Sequence, residues 1–314
     1  MNGEGTKSKR GFLRTIYRSV LDSIEEFTMS FSDFVLVNSK FTKEIVHSSF
    51  PKFRSAKRPV SVLYPCINLD KFVPPARSGA NVDKLNLGPI VSLNRFERKK
   101  NIGLLLYAVA KLRNKLSPGM AEHLKVIVAG GYDNQNLENK EYLHELKMLA
   151  KDLRIDSIIT FSPSISDETR ATLLQTAICV CYTPHREHFG IVPIEAMYAG
   201  SPVIAVNSGG PKETIIDNET GRLVSANADA FADAIYSLMI DPERAKKMGF
   251  NGHKRVKDCF GIDNFRSEWN SVVDDALKES LQNFNAKQKR AQLLMLMLNL
   301  IIVTSSISMY NKTI

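Results

Sequence analysis

Residues 177–182 read Ala-Ile-Cys-Val-Cys-Tyr and run into Thr183-Pro-His-Arg-Glu-His-Phe-Gly-Ile-Val-Pro-Ile-Glu195, the stretch on which the reading of the fold turns. The apolar run is short and bounded, as a buried strand is, and the segment continuing to Ala199-Gly200 reads as a helix. Strand, loop and helix in that order form one unit of an α/β sheet, and such sheets bind ligands outside the carboxyl ends of their strands. Glu187 falls in the loop and Glu195 on the helix, with the almost entirely apolar segment Phe189 to Ile194 between them. A solvated face would carry charge there. Both carboxylates are therefore candidate site residues, against the plainer role of a helix cap or dipole partner.

Working outward, strands and helices alternate. Strands are expected at Ile90 to Arg95, Leu124 to Ala129, Ser157 to Phe161 and Pro202 to Val206, and helices at Ile102 to Leu116, Glu138 to Leu153 and Asp167 to Ala177, the last with Ser166 as N-cap. Helices between short buried strands specify a doubly wound parallel sheet, so the fold class is α/β, with one Rossmann-like domain over 87–257. Before it, Phe34 to Ser39 and Val60 to Tyr64 read as strands around a helix that starts near Ser39 and ends before Pro51. Residues 71–86, rich in Pro, Gly and polar residues, read as a linker. After Val224 the chain is helical at Asn227 to Met239, Pro242 to Val256 and Phe265 to Leu281, which makes 258–284 a C-terminal helix and 285–314 an apolar tail.

The chain has 314 residues and a net charge of +9, which favours anionic partners and leaves open whether these are phosphate groups, a membrane surface or nucleic acid. The cations cluster at one strand end and in the tails without interleaved aromatics, which excludes a nucleic-acid binder. The four cysteines show no C-x-x-C spacing and read as reduced core thiols, suited to a cytosol-facing protein. Residues 11–27 form an amphipathic pattern with two open placements, packed on their own domain or lying on an anionic membrane. The run Ala291 to Val303 is shorter than the roughly 20 residues of a bilayer span. Partial insertion, a span that takes in Thr304 to Ser308, and docking onto the protein all stay open.

Three loops carry the expected chemistry. Asn94-Arg-Phe-Glu-Arg-Lys-Lys-Asn101 sets four cations against one anion where a strand meets a helix, a place suited to phosphate. Gly209-Gly210 follows a buried strand and precedes a helix starting near Pro211, where bare backbone can approach an anion or simply turn tightly. Gly130-Gly131 has the same two readings. The third loop carries Glu187, and carboxylates accept hydrogen bonds from vicinal hydroxyls of a sugar or ribose. His185 and His188 lack the spacing of a metal pair, so no metal is expected. Together the loops fit a nucleotide-diphosphate sugar.

These residues resemble a family. Glu187 and Glu195 match the E-x7-E signature of the retaining glycosyltransferases of family 4, whose GT-B fold pairs two Rossmann-like domains. Arg95 and Lys100 match that family's cations, Val62 to Phe72 is similar to its interdomain connection, and Asn38 to Thr42 to the end of its acceptor domain. Within the family, Arg95 to Ile102 and Pro184 to Met197 are similar to the α-1,3/1,6-mannosyltransferases of dolichol-linked oligosaccharide assembly. The resemblance implies GDP-mannose as donor, a lipid-linked oligosaccharide as acceptor, the cytosolic face of the endoplasmic reticulum membrane, and other glycosyltransferases of the pathway as partners. It assigns Arg95 and Lys100 to the diphosphate and Glu187 to the mannose. Glu195 would take the ribose, Gly209 and Gly210 the phosphates or sugar, and the loop Ser162 to Ile165 the guanine, with Gly190 and Phe189 also in the donor-binding set. Only about sixty residues precede the connection, so residues 1–70 are expected to be a remnant of the acceptor domain and the chain a fragment or short isoform. The alternative function is a catalytically silent module that binds a nucleotide sugar or a partner.

Overall fold

The computed structural model describes residues 4–29, 31–32, 34–51, 60–67 and 88–310. The expected linker at 71–86 lies outside them. Two compact units divide the chain, Met1–Phe265 and Arg266–Ile314.

The first unit holds a six-stranded, wholly parallel sheet. Its strands are β3 (Ile90–Leu93), β4 (Val126–Gly130), β5 (Ile159–Pro163), β6 (Cys179–Tyr182), β7 (Val203–Val206) and β8 (Gly221–Val224), in the spatial order β5-β4-β3-β6-β7-β8. The chain steps outward from β3 to β5, then returns to the other side of β3 for β6. That reversal opens a crevice at the carboxyl ends of β3 and β6, the switch point where doubly wound sheets bind ligands. The register sets Ile90 opposite Val126 on one side and Cys179 on the other. β8 is an addition to the strands expected above. Its four residues include Gly and Arg and lack an apolar run, so only pairing with β7 marks them as strand.

Both faces of the sheet are buried. Ile90, Val128, Cys179, Cys181 and Ile204 pack into one apolar cluster, while Val91, Leu93, Val180, Tyr182 and Val203 pack into another on the opposite face. This period-two alternation with apolar residues on both sides is what a helix-covered parallel sheet requires. Helices α3 (Gly103–Arg113), α5 (Leu137–Asp152) and α9 (Ala228–Ile240) contribute to the first cluster, with the short α4 (Pro118–Glu122) ahead of β4. Helices α6 (Asp167–Thr176) and α7 (Ile191–Tyr198) contribute to the second, and α10 (Pro242–Phe260) to both. Each fully buried side chain such as Leu106 or Ile194 contributes about 1.5–3 kcal/mol by leaving water. Ser166 caps α6 as expected, its hydroxyl accepting from the Thr169 amide at 3.2 Å.

Ahead of this sheet, α1 (Glu4–Met29) precedes a small parallel unit of β1 (Val35–Val37), α2 (Lys40–Ser49) and β2 (Val60–Val62). On α1 the described apolar side chains Tyr17, Val20, Ile24 and Phe27 are exposed. The helix expected from Pro211 is only the single turn α8 (Pro211–Thr214).

The last helix takes in both the expected C-terminal helix and most of the expected apolar tail. α11 runs unbroken from Ile262 to Tyr310, because no proline or glycine interrupts it. Its apolar residues Val273, Leu277, Leu281 and Phe284 are exposed. Among the described residues, no helix is long and apolar enough to cross a membrane.

Candidate functional site

The loop that leaves β3 is anchored by Phe96, which is fully buried and meets the Tyr132 ring edge-on at 6.0 Å. With that residue fixed, its charged neighbours separate. Arg98 turns outward to α5, donating through its Nη2 to Glu141 Oε2 at 3.1 Å and Glu145 Oε1 at 2.6 Å, so one of the four cations braces the fold. Arg95, largely exposed, pairs with Glu97 at 3.7 Å, and Lys99 pairs with the same carboxylate at 3.0 Å. Lys100 closes a one-turn 3-10 helix, Arg98–Lys100, that ends in a left-handed Asn101, and its side chain is only 17% exposed. Its Nζ forms an ion pair with Glu187.

Glu187 lies on the loop after β6, so this ion pair spans the switch point. A second contact ties the loops together, from the Thr183 hydroxyl to the Lys100 carbonyl at 2.7 Å. A cleft of about 640 Å³ opens here, lined by Arg95, Lys99, Lys100 and Glu187 with Gly130, Gly131, Ser164, Ile165, Arg170 and Gly190. That volume is within the range of small-molecule sites.

Glu195 sits one turn into α7. It is buried and reaches the cleft through an ion pair with Arg170, which lines the wall. Gly190, the N-cap of α7, has φ 86°, a left-handed conformation that turns the chain from the Glu187 loop into the helix.

The electrostatics of the two glutamates diverge. Burial pushes the Glu187 carboxyl up, but the Lys100 ammonium, the Tyr182 hydroxyl and the His188 amide together hold it below the usual carboxylate value. For Glu195 burial prevails over the Arg170 guanidinium and the carboxyl is pushed up. Tyr182 is raised by burial and then by the Glu187 charge, which keeps its hydroxyl protonated as a donor. Glu97 ends low, because Lys99, Arg95 and Lys100 outweigh its burial.

Of the expected site residues, Arg95, Lys100, Glu187, Gly190 and Ile165 line one cleft, and Glu195 stands behind Arg170. Gly209, Gly210 and Phe189 are not among the residues that line the cleft. The Gly210 amide donates to the Glu187 carbonyl at 2.8 Å. Gly209 has φ 66°, and a side chain there would run into the Glu187 backbone. The glycine loop thus packs against and supports the Glu187 loop. Phe189 is buried in an aromatic cluster, 5.9 Å from Tyr64 and 6.0 Å from Phe260.

Arg170 is a cleft residue that the sequence reading does not single out. It follows the N-cap Ser166 by four positions, where a cation opposes the helix dipole. That unfavourable placement is the signal in the sequence that could mark it. Among the described residues, no group of three or more His, Cys, Asp and Glu side chains forms a metal site.

Comparison with known proteins agrees with this geometry. Residues 82–255 match the family model described as glycosyl transferases group 1. The chain is 42% identical over 259 residues to the alpha-1,3/1,6-mannosyltransferase ALG2 of Homo sapiens, covering 82% of this chain and 62% of that protein. It is 35% identical over 305 residues to the enzyme of the same name from Candida albicans, covering 85% and 68%. Among solved structures, sucrose-phosphate synthase from Thermosynechococcus elongatus superposes with a TM-score of 0.70 at 27% identity, over 83% of this chain and 62% of that one. The chain therefore spans a little under two thirds of the human relative's length. Its α/β architecture is GT-B-like.

Proposed function

The chain belongs to the glycosyl transferases group 1 family, and from that premise we propose that it is a retaining mannosyltransferase. It takes mannose from GDP-mannose and adds it, in α-1,3 and α-1,6 linkage, to a dolichol-linked oligosaccharide during assembly of the N-glycan precursor. The acceptor's lipid brings the reaction to a membrane surface, and the cytosolic face of the endoplasmic reticulum is the location that fits, beside the other glycosyltransferases of the pathway.

One observation carries this reading: Lys100 and Glu187, from loops far apart in the chain, meet across the switch point of the sheet at the wall of a single cleft. In the proposed mechanism Arg95 and Lys100 bind the diphosphate and stabilise the charge that grows on departing GDP. Fixed charges aimed at a leaving group are the largest electrostatic contribution to such a step. Glu187 accepts hydrogen bonds from the mannose hydroxyls. Glu195, held by Arg170, faces the ribose, and Ser164 and Ile165 border the base. No metal takes part in this scheme.

In this scheme Glu187 is committed to the sugar hydroxyls, and no cleft carboxylate is assigned as a nucleophile. Retention then follows from attack on the face that GDP leaves. The acceptor hydroxyl oxygen bonds to the anomeric carbon as the bond from that carbon to the phosphate oxygen breaks, and the hydroxyl proton passes to the departing phosphate. The two-carboxylate scheme of retaining glycosidases would need a nucleophilic carboxylate instead.

The test is calorimetric titration with GDP-mannose and UDP-glucose, followed by transfer to a dolichol-linked acceptor. Binding of GDP-mannose with clear preference, and transfer that retains anomeric configuration, is the expected result. Equal affinity for both nucleotides overturns the donor assignment. Binding without transfer leaves a nucleotide-sugar module and overturns the catalytic one.

A further inference from the structure

Glu187 is bracketed by contacts that reach outside the six-stranded sheet. The Ser39 hydroxyl lies 2.6 Å from the His188 carbonyl, and Thr42 Oγ1 lies 3.1 Å from His188 Nδ1 and 2.7 Å from Asn38 Oδ1. Proton counting orders this network. The His188 carbonyl and Asn38 Oδ1 only accept, so Ser39 donates to the first and Thr42 to the second, which leaves the His188 ring donating from Nδ1 to Thr42. On the other side of Glu187, the Arg186 guanidinium lies 5.5 Å from the Phe41 ring centre. Residues before and after Glu187 are thus both held by the first turn of α2.

That turn is itself fixed to the donor side. Glu213 accepts from the Lys40 and Phe41 amides, each at 2.8 Å, and from the Tyr64 hydroxyl at 2.9 Å. These are amides that a helix start leaves without a partner in the helix, so the carboxylate satisfies them and meets the positive end of the dipole. Arg255 holds the Glu213 carbonyl in turn, at 2.8 Å. The segment from Gly209 to Glu213 therefore supports Glu187 twice, directly through the Gly210 amide and indirectly through α2.

We propose that Ser39 and Thr42 are positioning residues for Glu187: their hydroxyls fix the 186–188 loop so that the carboxylate points across the cleft at the donor sugar. The proposal rests on the reading that Glu187 contacts that sugar. It makes the β1-α2-β2 unit part of the donor site. Neither Ser39 nor Thr42 lines the cleft, so loss of their hydroxyls weakens recognition of the sugar and leaves recognition of the diphosphate.

The experiment compares affinities for GDP-mannose and GDP, by calorimetry on the full chain, in wild type, Glu187→Ala, a Ser39→Ala/Thr42→Val double variant and a Ser39→Thr/Thr42→Ser double variant. The Ala/Val variant is expected to lose about fivefold or more of the preference for GDP-mannose over GDP, with GDP affinity itself held within about twofold. The Thr/Ser variant keeps both hydroxyls and is expected to keep the preference. An Ala/Val variant with wild-type preference overturns the positioning role, as does a parallel fall in both affinities, which marks general support of the fold. If Glu187→Ala retains the wild-type preference, the sugar contact itself is wrong and the proposal falls with it.

Discussion

Glu187 and Glu195 belong to one strand-loop-helix unit, and each is paired with a cation from another element, Lys100 or Arg170. Their settings differ. The Glu187 side chain is 23% exposed, on a loop open to the cleft, whereas that of Glu195 is 10% exposed, inside the first turns of α7. Burial and the partner charge oppose one another in both cases, and the balance falls on opposite sides, toward the ionised form for Glu187 and toward the neutral form for Glu195. Both members of the Lys100–Glu187 pair line the cleft, whereas of the second pair only Arg170 does. Glu195, outside that lining, depends on Arg170, because a lone buried charge is costly. The first pair spans the cleft, and the second ties its wall to the carboxylate behind it.

The most severe way to break the contrast is Arg170→Ala. It leaves the Glu195 carboxylate buried without its partner, and a loss of about 3 kcal/mol in unfolding free energy is expected from denaturant titration. A loss below about 0.5 kcal/mol would put Glu195 in the same class as Glu187. Next is Lys100→Ala, which removes a charge-assisted contact from the cleft; GDP-mannose affinity should fall by about 2 kcal/mol in calorimetry. Arg95→Ala comes after it, at about 1 kcal/mol in the same titration, because the Arg95 side chain is 72% exposed and water screens it.

The smallest effect sharpens the comparison most, since it depends on sign. The Glu187 carboxyl is depressed in the folded protein, so it adds stability above the ordinary glutamate value of 4.5, and that stability is lost as pH falls through the lower folded value. The Glu195 carboxyl is raised, so its contribution is fully present below 4.5 and is lost as pH rises through the raised value. Relative to wild type, Glu195→Gln should become more stable with rising pH and Glu187→Gln less stable. Melting temperatures measured from about pH 3 to pH 8 would show the two differences moving apart, and parallel curves would remove the distinction.

Much of the sheet is legible in the chain because its signals are local. The apolar runs at Ile90, Val126, Cys179 and Val203 are short and bounded, and the N-cap at Ser166 is a side-chain contact within one turn. β8 is less legible, because Gly221–Val224 gains its strand character from β7. The helix α11 shows the reverse case. The change from a mixed to an apolar composition near residue 285 suggests a boundary, yet helix continuity depends on the absence of breakers.

The candidate site divides in the same way. Residue types and spacing single out Glu187, Glu195 and the cationic loop 94–101, and the family resemblance picks Arg95 and Lys100 from that loop, but a run of cations does not reveal that Arg98 faces α5 and Lys100 faces the cleft. Nor does a Gly-Gly pair reveal whether its amides meet a ligand or, as at Gly210, a carbonyl of the neighbouring loop.

By itself the sequence determined the parallel α/β sheet, the strand ends that carry charge and the family to which they belong, since period, burial pattern and motif spacing are properties of neighbouring residues. Only the tertiary structure decided that Lys100 and Glu187 form a pair, that Arg170 serves Glu195, and that Ser39, Thr42 and Glu213 grip the loop between them. Those partners lie far apart in the chain. The direction of a loop side chain is set by whichever distant group satisfies its charge and its backbone, and that group is known only once the strands have taken their places.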